Sequence, residues 1–565
     1  MILIILTITV LTTVYYFFHL NYEYWKKRGI LGPKPKFLVG NMGKSFILKA
    51  TPGEVFFEAY KHRFTMILII VITALVTIIY YLIHNNYQYW KKRGIRGPKP
   101  RFFVGNLGKS FIFKASPGHI YTEAYNQFKN EDVVGMYRAM SPVILIRDPQ
   151  LIKEVTLKSF NNFHDNDLYI DKNVDTIVGR NPFFLRGDEW KIVRQQLTPG
   201  FTSGKMKWLY PLLEEVAGNL IKFIDNHPET TNGKGYSAKE LCARFTLNNV
   251  ASCAFGIEGK CLEEETNEFQ ELAKEFFAPG SWNFIAFFIL NLFPPLVKYM
   301  KIRFASESVE RRLTDLVTQT VKYREENNIV RNDFLQILIE LKKTCKDYEF
   351  TNVDVTAHAA GFLGDGYESS GTVMSFVLHE IAANPKVQAK LRQEVSKAFE
   401  QNGNKLPYDA LQEIHLLDAV IQETLRCHPS VLHAQKLCTK NFTFVPKNSK
   451  KPVTIEEGTS VILPVYGLHH DPDYFEDPDS FKPERFLPAN RENIVKYTYL
   501  PFGEGHRSCL GQRFGVLQLK VGIAYIINHY ELTVNEKTQM PIRYVPTNAV
   551  TEPLGGLWLN LKKIK

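Results

Sequence analysis

The segment Pro501-Phe502-Gly503-Glu504-Gly505-His506-Arg507-Ser508-Cys509-Leu510-Gly511 carries more information than any other part of the 565-residue chain. It sets one cysteine in a glycine-rich loop, behind a phenylalanine and an arginine. Gly503, Gly505 and Gly511 let the backbone curl closely around the sulfur, and amides turned inward by such a curl can donate to it. The run GQRFGVLQLKVGIAYIINHY that follows has apolar residues at helical spacing. Cys509 is therefore expected at a helix N-terminus, where the positive dipole end favours thiolate over thiol. A lone cysteine in a turn is ordinarily a buried structural residue. The surrounding pattern Phe-x-x-Gly-x-Arg-x-Cys-x-Gly instead suits a thiolate held as a metal ligand.

Further motifs lie upstream. Trp190-Lys191-Ile192-Val193-Arg194 puts Trp190 and Arg194 at i and i+4, on one helical face; in isolation this is an amphipathic surface helix. AHAAGFLGDGYESSGTVMSF, residues 357–376, is rich in small residues that let a helix pass close to a flat ligand. It carries Glu368-Ser369, and a carboxylate beside a hydroxyl can relay protons into a dry site. Glu423-Thr424-Leu425-Arg426 sets an acid and a base at i and i+3. Such pairs decorate many solvated helices, but Pro483-Glu484-Arg485-Phe486 supplies a second arginine further on. The aromatic stretch FFAPGSWNFIAFFILNLFPPL, residues 276–296, suits a buried helix or a membrane-surface segment equally well.

In this order the motifs resemble those of the cytochromes P450, over roughly residues 90–565. The resemblance implies a mainly α fold with a smaller β-rich part, preceded by N-terminal membrane helices. It implies heme b (iron protoporphyrin IX) as cofactor, with Cys509 as axial ligand of the iron. Phe502 and Gly511 then lie beside the heme, and Trp190, Arg194 and Arg507 at its propionates. Lys436, in LHAQKLCTKNF, stands where the family often has arginine; it keeps the charge and loses the bidentate fork. In the family's helix pattern Ala/Gly-Gly-x-Asp/Glu-Thr, Asp365 and Gly366 fill the first two positions, Glu368 is the acid and Ser369 replaces threonine. Glu368 and Ser369 are the implied catalytic pair. Glu423, Arg426 and Arg485 are the implied buried charge network, structural in role. The implied reaction inserts one oxygen atom of O2 into a lipophilic small molecule, in xenobiotic or in hormone and lipid metabolism. Its electrons come from NADPH through NADPH-cytochrome P450 reductase, with cytochrome b5 as an additional partner; NADPH itself acts only through the reductase. Two rivals stand beside it: an enzyme of the same fold that rearranges a peroxide without electrons, and a heme-binding protein inactivated by its extra N-terminal segment. Relatives of the first kind often lack the acid–alcohol pair present here. His469-His470-Asp471-Pro472 reads as a structural turn, not a metal site.

Composition is that of a globular protein, 45% apolar and 22% charged. Seven cysteines without paired spacing argue against a disulfide scaffold or a zinc site and suit a reducing cytosol. The net charge of +11 is not a nucleic-acid signal, because it is concentrated at the front. Residues 1–65 carry nine Lys/Arg against three Asp/Glu, and residues 66–130 nine against one, so the remaining body is slightly acidic. Positive residues beside apolar runs mark the cytosolic face of a membrane.

That front end is doubled. Residues 1–20, MILIILTITVLTTVYYFFHL, can span a bilayer, and Trp25-Lys26-Lys27-Arg28 and Gly32-Pro33-Lys34-Pro35 follow. At Met66 the series restarts, MILIIVITALVTIIYYLIHNNYQYWKKRGIRGPKP, at a constant offset of 65, with 38 of the first 60 positions identical. Neither run has a basic leading region, so both read as uncleaved anchors rather than signal peptides. The expected organisation is an extra anchor and hinge over 1–65, joined by gene fusion or gene-model error, an anchor over 66–90, a basic proline-rich hinge over 91–106 and a heme-binding domain over 107–565. The family uses one anchor, in the endoplasmic reticulum membrane with the catalytic body facing the cytosol. Two anchors with C-terminal basic flanks cannot both satisfy that orientation.

Overall fold

A computed structural model describes residues 27–29, 52–264, 266–277, 301, 303–344, 350–448, 451–548 and 550–564. The chain divides into two units, Met1–Asn86 and Tyr87–Lys565. In the first, helix α1 spans Pro52–Asn86. Its part Leu68–Asn86, 19 residues of mean hydropathy 2.1, is long and apolar enough to cross a membrane. Leu75, Val76 and Leu82 on it are exposed, so the helix presents apolar side chains outward. The helix runs without a break through Met66, begins before the expected anchor and stops at Asn86. The first apolar run, residues 1–20, and the first hinge at Gly32–Pro35 lie outside the described residues.

The second unit is mainly helical with small sheets, the architecture the resemblance implies. The helices that frame its centre are α2 (Gly187–Leu197), α3 (Ser203–Asn226), α4 (Ala238–Val250), α5 (Asn352–Gly361), α6 (Glu368–Ala383), α7 (Pro385–Gln401), α8 (His415–Cys427) and α9 (Gln512–His529). Thr351 and Asp354 cap α5 reciprocally, each side chain taking the other's backbone N–H. α5 does not end at Gly361; it widens into a π turn, Phe362–Tyr367, and continues as α6. Such wide turns inside helices recur at functional sites. α6 passes close to α4 because Gly371 lacks a side chain: a Cβ there would lie 3.1 Å from Thr246 Oγ1.

The strands are β1 (Val133–Arg138), β2 (Ser141–Ile146), β3 (Asp165–Asn166), β4 (Tyr236–Ser237), β5 (Ala434–Leu437), β6 (Phe442–Phe444), β7 (Val453–Ile455), β8 (Ser460–Leu463), β9 (Tyr530–Val534) and β10 (Trp558–Lys563). The largest sheet has the order β1-β2-β8-β5-β3, with β2 and β8 parallel and its other pairs antiparallel. One core lies among the helices, through Phe245, Phe362, Val377, Ile421 and Leu519. A second lies on the sheet, through Val134, Ile144, Phe163 and Ile462. The aromatic 276–296 segment lies outside the described residues beyond Phe277.

Candidate active site

The cysteine loop is shaped by its glycines. Gly503 and Gly505 have φ of +70° and +75°, and a Cβ on Gly505 would sit 2.1 Å from the Thr156 carbonyl oxygen. The Cys509 N–H donates to the Phe502 carbonyl at 2.8 Å and closes the loop. Gly511 caps α9, and the N–H groups of Gly511 and Gln512 lie near enough to the Cys509 sulfur to favour its thiolate. Phe502 packs on the helical core. The expectation that the helix end alone favours thiolate is corrected here. Burial pushes the Cys509 thiol up to about 11, with the charge of Asp365 adding to it, and outweighs the two amides and Arg194, which pull the other way. A thiolate at this place needs a bound cation to hold it.

Cys509 and Asp365 combine two properties that rarely coincide. Both side chains are exposed, and both lie deep enough for burial to dominate their ionisation, raising Asp365 to about 6. They therefore line an internal chamber, with the π turn on one side and the cysteine loop on the other. Glycines on both walls have no packing reason to be glycine. A Cβ on Gly511 would come no nearer than 4.0 Å to the Phe201 ring, and one on Gly366 no nearer than 3.8 Å to Val250. Small residues there leave the space against the loop to a flat group.

Beside the chamber four cations gather: Arg186, Arg194, Lys436 and Arg507. Burial, then Arg507 and Arg194, push the buried Lys436 down to about 7 against the pull of Asp165. Its ammonium donates to Asn166 Oδ1 at 2.8 Å. Burial lowers Arg194 too, and burial with Arg194 and Arg186 lowers Arg507 to about 9 although Asp165 opposes it. The Arg507 guanidinium lies 4.0 Å over the Trp190 ring and donates to the carbonyls of His164, Pro182 and Leu185 and to Asp165 Oδ1, at 2.7 to 3.2 Å. It thus also ties down the 165–185 segment. Among the described residues Asp165 is the carboxylate that answers this group. Four cations against one acid call for further anions, and the two propionates of an iron porphyrin meet that need. The donor set, the glycine wall and the sulfur fit the implied cofactor.

The expected catalytic pair is brought to the start of α6 and then separated. Ser369 Oγ donates to the Asp365 carbonyl of its own helix. The Glu368 carboxylate is 3.0 Å from Lys239 Nζ, which also pairs with Glu552 at 2.8 Å. Burial works to lower Lys239, but Glu368 and Glu552 outweigh it and hold it protonated. The buried network is assembled in full. Arg426 Nε and Nη2 donate to the two Glu423 oxygens at 2.8 and 2.9 Å, Lys482 N–H donates to Glu423 at 2.8 Å, and Arg485 Nε stands 3.4 Å away. Sequence reasoning passed over Asp165, Asn181, Lys239 and the site role of Asp365. Only Asp365 left a signal, an acid where the helix pattern asks for a small residue.

Comparison with known proteins gives one answer. The sequence model of the family described as Cytochrome P450 matches residues 95–559. Cytochrome P450 6a2 of Drosophila melanogaster is 34% identical over 88% of this chain and 100% of its own length. Cytochrome P450 9e2 of Blattella germanica is 33% identical over 87% and 97%, and cytochrome P450 6A1 of Musca domestica 33% over 89% and 99%.

Proposed function

The chain belongs to the cytochrome P450 family and is a heme-dependent monooxygenase, and from that premise we propose that it oxidises a lipophilic small molecule, foreign or hormone- and lipid-like, with electrons passed from NADPH by NADPH-cytochrome P450 reductase and assisted by cytochrome b5. The observation that carries this reading is the chamber walled by Cys509 on one side and the α5–α6 turn on the other, with an unbalanced cluster of cations at its edge. Heme b, when bound, supplies the iron at which O2 is activated and one oxygen atom is passed to the substrate.

The chain's own residues divide the remaining work. Cys509 would hold the heme iron through its sulfur, and the nearby Gly511 and Gln512 amides would limit how much electron density that sulfur donates. Arg194, Lys436 and Arg507 would hold the propionates, with Trp190 stacked to keep Arg507 in place. Gly511 gives the ring room and Phe502 shields the sulfur from water. Glu368 holds a proton source at the head of α6 through Lys239, and Ser369 passes protons inward from it. Glu423, Arg426 and Arg485 keep the segment before the cysteine loop in register. Residues 66–90 anchor the body to the endoplasmic reticulum membrane, facing the cytosol. Residues 1–65 are an additional copy of anchor and hinge, a reading supported by alignments that cover nearly all of each relative and under nine-tenths of this chain.

The test is spectroscopic. Reduced protein treated with CO is expected to give the red-shifted band of thiolate-ligated heme, together with NADPH- and reductase-dependent oxidation of a lipophile. Cys509→Ala is expected to abolish band and oxidation together. A Cys509→Ala protein that kept the band would overturn the assignment.

A further inference from the structure

The chamber wall that faces Cys509 carries a side chain that monooxygenation does not employ. Asp365 stands at the first place of a helix pattern that calls for alanine or glycine, inside the π turn Phe362–Tyr367. Its side chain is exposed within the chamber, near enough to Cys509 for its charge to act on the thiol. Oδ2 accepts from Asn181 Nδ2 at 2.8 Å. The Asn181 amide is itself fixed, because its Oδ1 accepts from the Phe183 N–H at 2.8 Å; the amide is a placed donor. Among the described residues this is the only hydrogen bond of the Asp365 carboxylate and no cation pairs with it. One oxygen is left for whatever enters. The four cations of the site are gathered near Asp165, and the glycines on either side of Asp365 lie against apolar side chains, Gly364 near Phe276 and Gly366 near Val250.

We propose that Asp365 is a substrate-recognition carboxylate that selects lipophilic molecules bearing a protonated amine. The ammonium N–H donates to the free carboxylate oxygen while the hydrocarbon body is buried in the chamber. In so dry a place the charge-assisted bond is stronger than in water. It also removes the cost of burying an unanswered acid, which burial otherwise pushes up to about 6. The proposal rests on reading this chamber as the heme and substrate pocket, and it narrows the substrate class within that reading.

The test uses a pair of shape-matched probes, N-methylphenylpiperidine and its carbon isostere methylphenylcyclohexane. Their dissociation constants are measured by equilibrium dialysis against membranes holding the full-length, heme-loaded chain, with empty membranes as baseline. The native chain is expected to bind the amine roughly tenfold more tightly than the isostere. Asp365→Asn is expected to bring the two within about twofold and leave the isostere unchanged, and Asp365→Glu to restore the preference. Equal affinities in the native chain, or a preference that survives in Asp365→Asn, overturn the proposal, and the first of these needs no variant to fold. The CO band is recorded on the same samples. Its absence from the native chain overturns the heme-thiolate reading itself, whereas equal affinities with the band present overturn only the role of Asp365.

Discussion

Glu368 is held by a cation on another helix, and this decides what its removal does. Lys239 bridges Glu368 and Glu552, so Glu368→Gln leaves Lys239 one partner and the fold intact. The proton source at the head of α6 is lost. Product formed per NADPH consumed is expected to fall roughly 10- to 100-fold, with the CO band unchanged; unaltered product yield in Glu368→Gln rules out the role. Ser369→Ala is expected to do less harm to stability than an ordinary buried hydroxyl deletion, since among the described residues Ser369 binds only a carbonyl of its own helix. What spacing alone makes legible are residues whose partners are near in the chain; Trp190 and Arg485, whose partners are Arg507 and Glu423, were reached only through the resemblance. The cysteine loop closes on itself, from Phe502 to Gln512, so its spacing alone exposed it. Lys239 and Asn181 come from remote segments, and the direction in which Asp365 faces depends on a π turn that no local spacing announces.

At the scale of elements, the C-terminal end of α8 is fastened by Glu423 and Arg426 to the chain that leads into the cysteine loop. Both are fully buried. Arg426 also donates to the carbonyls of His469 at 2.9 Å and Ser480 at 3.2 Å. Arg426→Ala strands Glu423 without its main partner and is expected to cost ~3–5 kcal/mol, read as a lowered Tm and loss of heme. Arg485→Ala is expected to cost less, because Arg485 is partly exposed and its contact with Glu423 is 3.4 Å long. A larger loss from Arg485→Ala would reverse this ranking. His469 belongs to the same joint. Its Nε2 accepts from the Leu500 N–H at 2.8 Å and its Nδ1 faces the Arg426 carbonyl at 3.2 Å, so it serves as a neutral ring. Burial, with His470 and Arg426, holds it down at about 3. His358, buried with neither ring nitrogen hydrogen-bonded among the described residues, is held at about 4, by burial first. An unfolded histidine titrates near 6.5. Below that pH the unfolded chain takes up protons that the fold refuses, so stability is complete above about 6.5. It falls as pH drops toward 4, by up to about 1.4 kcal/mol per pH unit for each such histidine. Tm is expected to fall between neutral pH and pH of about 5, and His358→Leu to flatten the slope by about one proton; an unchanged slope means that His358 is not neutral in the fold. The i, i+3 spacing of Glu423 and Arg426 was visible in the sequence. That a histidine backs it was not, because the turn at His469 reads only as local structure.

At the scale of the whole molecule, the chain is a slightly acidic catalytic body behind an apolar helix flanked by basic residues. The body's class was legible because several motifs recur in a fixed order over most of its length. The front end was legible as a repeat, but a repeat does not say which copy crosses the membrane. The hydrophobic effect accepts either, and each basic flank asks for the same side. α1 adds a physical constraint: residues 52–86 form one helix, so the end of the first copy and the start of the second anchor are one rod rather than two separate elements. A chain that begins at Met66 retains the apolar stretch Leu68–Asn86 and the basic flank behind it, and has a single orientation to adopt. It is expected to place its body in the cytosol, to give the CO band in isolated microsomes and to turn over with added reductase. Asn441 reports the side independently. It is exposed at the head of β6 and opens the sequon Asn441-Phe442-Thr443. In the Met66 form Asn441 is expected to remain without glycan. In the full-length chain two crossings would carry the body to the lumen, where Asn441 is glycosylated and the reductase cannot reach the site. A glycosidase-sensitive mobility shift in the full-length chain alone, accompanied by loss of NADPH-driven turnover, assigns that fault to residues 1–65. The same shift in the Met66 form refutes a cytosolic body.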